Sequence, residues 1–183
     1  EPYRRQRQMC IRDSSLDNPV YSSANGCLYN KAKTELLRCP QEKEKVEILS
    51  SVTYIGNLAF YNCGKLKKIE LPQGVIEIGY LAFGNCCSLK EITIPEGVKS
   101  IGYWAFEDCY SLKEITIPQS VKSIGDRAFI GCKSLKSVTI PASVVEIEKN
   151  VFKNCKQLTI YGKESSCAQS YAQKYGIPFS SQM

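Results

Sequence analysis

Cysteine is the residue type in this chain whose number and spacing most suggest chemistry. Ten cysteines occur in 183 residues, whereas histidine, the commonest general base and metal ligand, is absent. Five of the cysteines recur every 23 residues, and we call them the thiol ladder. The thiol ladder consists of Cys63, Cys86, Cys109, Cys132 and Cys155. Thiols in such numbers indicate either disulfides or a zinc site, unless the side chains are simply buried in a core.

The regular spacing favours burial. Cysteines on neighbouring stacked strands would keep their Cβ atoms about 4.8 Å apart, wider than the roughly 3.8 Å mean of a disulfide. Zinc requires thiolates that converge on one point, which a linear column does not provide. We therefore predict a reduced, structural thiol ladder with no metal and no cofactor, a partial disulfide or a metal site being the alternatives. Cys87, next to Cys86, should point outward, and Cys27 and Cys39 could face each other across a hairpin, either bonded or both in the core.

The 23-residue spacing extends to apolar residues, so the chain is a tandem repeat in which each unit buries its apolar face against its neighbours. A typical unit contains Leu89-Lys-Glu-Ile-Thr-Ile-Pro95, then Val98-Lys-Ser-Ile-Gly102, then Ala105-Phe-Glu-Asp-Cys109. The alternation of Ile92, Thr93 and Ile94 predicts a strand with one buried face, which the proline ends. The Ala-Phe-x-x-Cys segment predicts a tight helical or 3₁₀ turn. A glycine column should mark a bend that needs either positive φ or close backbone approach, at Gly56, Gly79, Gly102 and Gly125.

The repeats divide the chain into four parts. Residues 1–13 are interpreted as a translated sequencing adapter, expected to be disordered, because the stretch RRQRQMCIRD is encoded by CGT CGG CAG CGT CAG ATG TGT ATA AGA GAC. We therefore expect the natural N-terminus to be missing, and the arginines there do not indicate nucleic-acid binding. Residues 14–45, with a turn at Asn25-Gly26, predict an irregular β-hairpin module.

Residues 46–159 are interpreted as five regular repeats and residues 160–183 as a C-terminal cap. Within the cap, Ser166 could begin a capping helix that presents Ala168, Tyr171, Ala172 and Tyr175 on one face and ends at Gly176. Ile177-Pro-Phe179 should then pack back on the last repeat. Because the open end of a solenoid needs a cover, we expect the C-terminus to be natural.

The repeat unit resembles the BspA-like, treponemal-type leucine-rich repeat, a 23-residue unit found in surface proteins of bacteria and some parasitic protists. The segment Val46 to Leu158 fills every column of that unit, and the stretches Gly26–Lys31 and Ser166–Phe179 are similar to its irregular and closing elements. The resemblance implies a β-rich α/β solenoid: a right-handed leucine-rich-repeat coil with a parallel sheet on one face, short 3₁₀ or helical turns and a capping helix. It implies adhesion or protein recognition at an extracellular or cell-surface location, and no catalytic residues.

Two surfaces are candidate partner-binding sites. The first is a group of aromatic side chains at variable positions of the early repeats, which could instead pack laterally between rungs: Tyr61, Tyr80, Tyr103, Trp104 and Tyr110. The second is the exposed, concave face of the Leu-x-x-Ile-x-Ile strands, which could instead be a solvated and self-neutralised surface: Lys90, Glu91, Thr93, Lys113, Glu114 and Thr116.

We expect a non-enzymatic module, since no phosphate-binding glycine loop or nucleophile motif is present in the sequence. The resemblance implies that it is secreted or displayed at a cell surface. We expect a protein or host-matrix partner, no nucleic acid, no membrane insertion and a monomeric state. A structural spacer within a larger surface protein is one alternative. An accessory domain of an enzyme whose catalytic part lies upstream is another.

Overall fold

Each 23-residue repeat forms one turn of a solenoid in the computed structural model, which describes residues 18–181. The adapter interpretation of residues 1–13, with its expected disorder, lies outside the described residues. Every regular turn contributes short strands that pair in parallel with the same strands of the next turn, as in the pairing of Ile55 with Ile78 and of Ile78 with Ile101. The predicted β-rich solenoid is confirmed.

The longer sheet is built from the Val-x-x-Ile-Gly segments. An antiparallel hairpin starts it, with Asn25 and Gly26 at φ values of 50° and 72°, both positive as a type I′ turn requires. The remaining strands then run in parallel from β3 onward. In spatial order the strands are β1 (Tyr21–Ala24), β2 (Cys27–Asn30), β3 (Glu35–Arg38), β4 (Tyr54–Ile55), β6 (Glu77–Ile78), β8 (Ser100–Ile101), β10 (Ser123–Ile124) and β12 (Glu146–Ile147).

The Leu-x-x-Ile-x-Ile segments form the parallel ladder that the alternation predicts, but it is divided into two sheets. The first pairs β5 (Lys68–Glu70) with β7 (Glu91–Thr93), and the second contains β9 (Glu114–Thr116), β11 (Ser137–Ile140), β13 (Thr159–Gly162) and β14 (Phe179–Ser180). The sequence predicted a sheet on one face only, whereas the structure has parallel pairing on two sides of each turn. The second set was not foreseen because a two-residue strand is too short to show alternation.

The Ala-Phe-x-x-Cys segments form a third ladder, which we call the turn ladder. The N–H groups of Leu58, Phe60 and Asn62 donate to carbonyls of the next repeat at 2.8, 2.7 and 2.9 Å. The N–H groups between them donate within the turn to the residue three positions earlier, as in a 3₁₀ turn. Because donors alternate between the two directions, no continuous helix forms.

Two residues in most turns take a left-handed backbone to make this alternation possible. In the third repeat they are Trp104, with φ of 52°, and Asp108, with φ of 54°. Equivalent positive φ values recur at Leu58, Asn62, Leu81, Asn85, Arg127, Gly131, Asn150 and Asn154. Each bulky residue there costs on the order of 1 kcal/mol in strain, which the hydrogen bond to the next repeat offsets.

Phenylalanine rings form the centre of the core. The rings of Phe60, Phe83, Phe106, Phe129 and Phe152 stack in one column, with neighbouring centroids 4.8, 5.2, 5.0 and 5.5 Å apart. The first four are fully buried. This phenylalanine column fixes the distance between turns, because nearly parallel rings cannot approach closer than van der Waals contact.

The C-terminal helix α1 (Cys167–Tyr175) covers the end of the core. The Ser166 side chain accepts a hydrogen bond from the Gln169 N–H, and Gly176 ends the helix at φ of 65°. Ala168, Tyr171 and Ala172 are buried, whereas Tyr175 is exposed. Phe179 then pairs with Ile160 in β13. The predicted capping helix is therefore confirmed.

Tyr171 takes the place that the next repeat would occupy. Its ring stands edge-on to Phe152 at 5.9 Å, and its hydroxyl accepts a hydrogen bond from the Phe152 N–H at 3.5 Å. In earlier repeats the equivalent phenylalanine N–H donates to a carbonyl of the following turn. One tyrosine therefore closes both the phenylalanine column and the turn ladder.

We expect Tyr171→Phe to destabilise the cap by about 0.5–1 kcal/mol, because the substitution removes one long hydrogen bond and keeps the ring contact. Chemical denaturation followed by circular dichroism measures the change. Tyr175→Phe is the matched control and should be neutral, since Tyr175 is exposed. Equal losses from both substitutions would show that the Tyr171 hydroxyl does not close the turn ladder.

Candidate functional site

The thiol ladder lies inside the core. Cys63, Cys86, Cys109 and Cys132 are essentially inaccessible, and Cys155, near the capped end, is 8% exposed. Four of these thiols donate to the carbonyl of a phenylalanine in the preceding turn. The bonds are Cys86 to Phe60 at 3.1 Å, Cys109 to Phe83 at 3.2 Å, Cys132 to Phe106 at 3.1 Å and Cys155 to Phe129 at 3.2 Å.

Burial also disfavours ionisation of the three central thiols. It raises the pKa of Cys86, Cys109 and Cys132 above the ordinary thiol value, because a thiolate is poorly solvated in the apolar core. A protonated thiol is a weak nucleophile and a poor metal ligand. Within residues 18–181, no cluster of three or more histidine, cysteine, aspartate or glutamate residues is arranged to hold a metal ion.

The cysteines outside the ladder have different surroundings. Cys87 is half-buried, and its thiol contacts the Asn85 Oδ1 at 2.9 Å. Cys27 and Cys39 are both fully buried, and their sulfur atoms lie 2.7 Å apart. Cys27 and Cys39 therefore face each other across the hairpin, which was one of the possibilities predicted from the sequence.

Tyr80, Tyr103 and Trp104 meet on the surface in a group that we call the aromatic patch. Tyr80 is 42% exposed and Tyr103 is 47% exposed. Both rings stand edge-on to the half-buried Trp104, with centroids 5.7 and 6.3 Å away. The Arg127 guanidinium lies 5.2 Å from the Trp104 ring centroid on the other side. The rings therefore pack laterally against rings of the neighbouring repeat, which was the alternative to a binding site. Tyr80 and Tyr103 nevertheless remain partly open to solvent.

Local structure fixes the aromatic patch. Trp104 sits at a left-handed position of the turn ladder, and its N–H donates to the Asp126 carbonyl of the next repeat. The Tyr103 ring runs past Gly125, where an added Cβ would lie 3.1 Å from the ring. Its hydroxyl donates to the Glu148 carboxylate, and that negative charge raises the pKa of Tyr103. This hydrogen bond ties the Tyr103 ring to the repeat that carries Glu148.

Arg127, Asp126 and Glu148 complete this surface but were not singled out from the sequence. The Arg127 guanidinium donates to the Asp126 carboxylate at 2.7 Å, which holds it over Trp104. The signal was available, because Arg127 follows Trp104 by the repeat length of 23 residues and must lie beside it on the next turn.

The two remaining predicted aromatic residues have other neighbours. Tyr110 is half-buried, and the Lys133 amine lies 4.5 Å from its ring centroid. Tyr61 is half-buried, and its ring edge would lie 3.0 Å from a Cβ added to Gly84. Both rings contact the adjacent repeat, so neither presents the open surface seen at Tyr80 and Tyr103.

The predicted concave-face residues surround a shallow groove where the β5–β7 sheet meets the sheet that begins with β9. All six side chains are exposed, and five of them line the groove, Lys113 being the exception. The groove has a volume of about 560 Å³ and also contains Glu96. On its rim, the Lys68 amine lies 3.4 Å from a carboxylate oxygen of Glu91. This face is polar and partly self-neutralised, and its Lys68–Glu91 pair is exposed to solvent, which screens the attraction between the two charges.

No described helix is both long and apolar enough to cross a bilayer. Among curated proteins, none matches the chain. Solved structures do match it. A leucine-rich cell surface protein from Faecalibacterium prausnitzii A2-165 is 32% identical with a TM-score of 0.78, over 91% of this chain and 44% of that one. A leucine-rich repeat protein from Eubacterium ventriosum is 34% identical with a TM-score of 0.74, over 80% of this chain and 40% of that one.

The pneumococcal vaccine antigen PcpA shares the fold, with 24% identity and a TM-score of 0.74 over 92% of this chain and 49% of that one. The chain therefore spans less than half of the length of these three proteins. The family model for the BspA type leucine rich repeat region matches residues 34–159 in six copies. Its match begins at the residue before β3, the strand that joins the parallel ladder. The chain belongs to the BspA-type leucine-rich-repeat family.

Proposed function

We propose that this chain is a non-catalytic recognition module of a bacterial, surface-displayed or secreted protein, and that it binds a protein partner of the host or its matrix through the aromatic patch. The observation that carries the proposal is the pair of half-exposed rings, Tyr80 and Tyr103, held in place around Trp104. Aromatic side chains fixed on a rigid scaffold lose little conformational entropy on binding, which is why they are enriched at interface hot spots.

The surroundings of the aromatic patch favour a protein partner. Arg127 and Glu148 flank it with opposite charges, so the patch offers an apolar centre, a cation and a carboxylate within one surface. This combination matches the hydrophobic core and polar rim of a protein interface. Nucleic acid is disfavoured, because the groove is lined by the carboxylates of Glu91, Glu96 and Glu114 and by a single lysine, Lys90.

A surface location is supported by one of the described relatives. The protein from Faecalibacterium prausnitzii, which is 32% identical, is a cell surface protein. We propose the same extracellular or surface location for this chain, which would act as a monomer within a longer polypeptide.

Binding to an array of purified extracellular-matrix proteins and to host epithelial cells tests the proposal. We expect the double variant Tyr80→Ala/Tyr103→Ala to lower binding at least tenfold, because two hot-spot rings are lost. Its melting temperature should change by less than about 3 °C, since both rings are largely exposed and most surface substitutions have small effects.

Ile76→Ala/Val145→Ala is the matched control, because these side chains are apolar and 51% and 74% exposed but lie outside the aromatic patch. It should leave binding unchanged. Full binding by the Tyr80→Ala/Tyr103→Ala variant would exclude the aromatic patch as the binding site. If the unmodified chain bound no matrix protein and no cell, the result would favour a structural spacer.

A further inference from the structure

The Cys27 and Cys39 pair differs from the thiol ladder in geometry. Leu28 of β2 is paired with Arg38 of β3 in antiparallel register, which places Cys27 directly across from Cys39. Directly opposed residues of antiparallel strands have Cα atoms about 4.5–5.5 Å apart, within the range that disulfides span. Their sulfur atoms are already 2.7 Å apart, so a bond requires an approach of only about 0.7 Å.

The hydrogen bonding of this pair is different as well. Four ladder thiols donate to backbone carbonyls of the preceding turn. Cys27 and Cys39 instead contact each other at full burial. A single S–H···S contact is a weak interaction, so covalent bonding would sacrifice little.

A nearby cation favours the reactive form of Cys27. The Lys43 amine donates to the Asn25 carbonyl in the turn that connects β1 and β2. The hydrogen bond shared with Cys39 lowers the pKa of the Cys27 thiol, and the Lys43 charge lowers it further, against the opposing effect of burial. The same contact and burial raise the pKa of the Cys39 thiol. The Lys43 charge therefore favours formation of a thiolate at Cys27.

We propose that Cys27 and Cys39 form a disulfide that fastens the β1–β2 hairpin to β3, the strand that joins the parallel ladder. The oxidant is a small-molecule disulfide of the oxidised-glutathione class. One of the two cysteines loses its proton to water, and its thiolate attacks one sulfur of that disulfide, giving a mixed disulfide and releasing one thiolate. The other cysteine, after losing its proton to water, attacks the protein sulfur of the mixed disulfide and releases the second thiolate. Both released thiolates take up a proton from water. Two protein thiols are oxidised and one external disulfide is reduced to two thiols.

Both sulfurs are inaccessible in the folded chain, so the exchange takes place while the chain folds or while the hairpin is transiently open. The bond closes a loop of about a dozen residues, which reduces the entropy of the unfolded chain. The bond also closes the hairpin end of the array covalently, whereas the other end is closed by α1, which packs on the last turn.

Refolding the full chain from denaturant in a buffer of oxidised and reduced glutathione tests this inference. Free thiols are then alkylated in denaturant, and the protein is digested with trypsin without reduction. We expect a linked peptide pair covering residues 13–31 and 39–43, with the five ladder cysteines alkylated. The oxidised chain should melt about 5 °C or more above the reduced chain.

Cys27→Ala/Cys39→Ala should abolish both the linked peptides and the difference in melting temperature. Cys87→Ala, which removes a half-buried thiol elsewhere, should preserve both. Complete alkylation of Cys27 and Cys39 after refolding would overturn the inference. Linkage of Cys39 to Cys63 instead of Cys27 would overturn it too, and neither of these readouts depends on a folded alanine variant.

Discussion

Phe106→Ala is expected to destabilise the solenoid by about 3–5 kcal/mol, the range for removing a fully buried phenylalanine ring. Phe106 is 0% exposed and stacks on Phe83 and Phe129 at 5.2 and 5.0 Å. The substitution removes two ring contacts and leaves a cavity at the middle of the array. Neighbouring turns cannot readily close that cavity, because β8 of this turn is paired with β6 of the preceding turn and β10 of the following turn, which fixes their separation.

Chemical denaturation followed by circular dichroism measures this loss. In a repeat protein each turn contacts only its neighbours, so a defect at the middle should also divide the transition into two parts. The fluorescence of Trp104, the single tryptophan, reports the damaged repeat directly. Tyr103→Ala is the matched control, because it deletes a largely exposed ring in the same turn.

A loss below about 1 kcal/mol for Phe106→Ala would mean that the phenylalanine column does not set the spacing of the turns. It would also weaken the case for the aromatic patch as a rigid surface, since Trp104 and Phe106 belong to the same turn ladder segment. The stability of the column and the geometry of the patch are thus parts of one hypothesis.

Periodicity made most of this fold predictable. Once Cys63, Cys86 and Cys109 were seen to be 23 residues apart, the stacking, the buried phenylalanines and the strand at Ile92 followed from the pattern. The cap was predictable for a different reason, because Ser166 and Gly176 are typical helix-terminating residues and both act as such.

The turn ladder could not be predicted, since the first left-handed position of each turn is occupied in four of five repeats by a residue that seldom adopts that backbone: Leu58, Leu81, Trp104 and Arg127. Leu58, Leu81 and Trp104 give no local signal for positive φ. The hydrogen bonds between turns impose it, and those bonds exist only once the turns have stacked. The division of the ladder between β7 and β9 is likewise a tertiary property, because the two strands share the residues Glu-Ile-Thr.

The candidate site was predictable in part. The aromatic residues could be recognised as lying outside the core columns, but the exposure of Tyr80 and the half-burial of Trp104 depend on how rings from successive turns pack. The glycine column illustrates the same limit. From the sequence, the glycines could be required either by positive φ or by close approach of another backbone segment. The structure shows close approach, because none of the four glycines has positive φ: Gly56, Gly79, Gly102 and Gly125.

Gly102→Ala is accordingly expected to destabilise the chain by about 1–3 kcal/mol, the usual cost of overpacking a fixed structure. An added Cβ would lie 2.7 Å from the Ile78 carbonyl oxygen and 2.8 Å from the Gly79 carbonyl. These are backbone atoms that cannot rotate away. The turns must therefore separate and stretch the 2.9 Å hydrogen bond from the Gly102 N–H to Ile78. Thermal and chemical denaturation measure the effect.

Gly64→Ala is the matched control. No atom lies within 4 Å of a Cβ added there, and Gly64 does not have positive φ, so the substitution should be neutral or stabilising by about 0.4–1 kcal/mol. Equal responses from the two glycines would contradict the close-approach explanation.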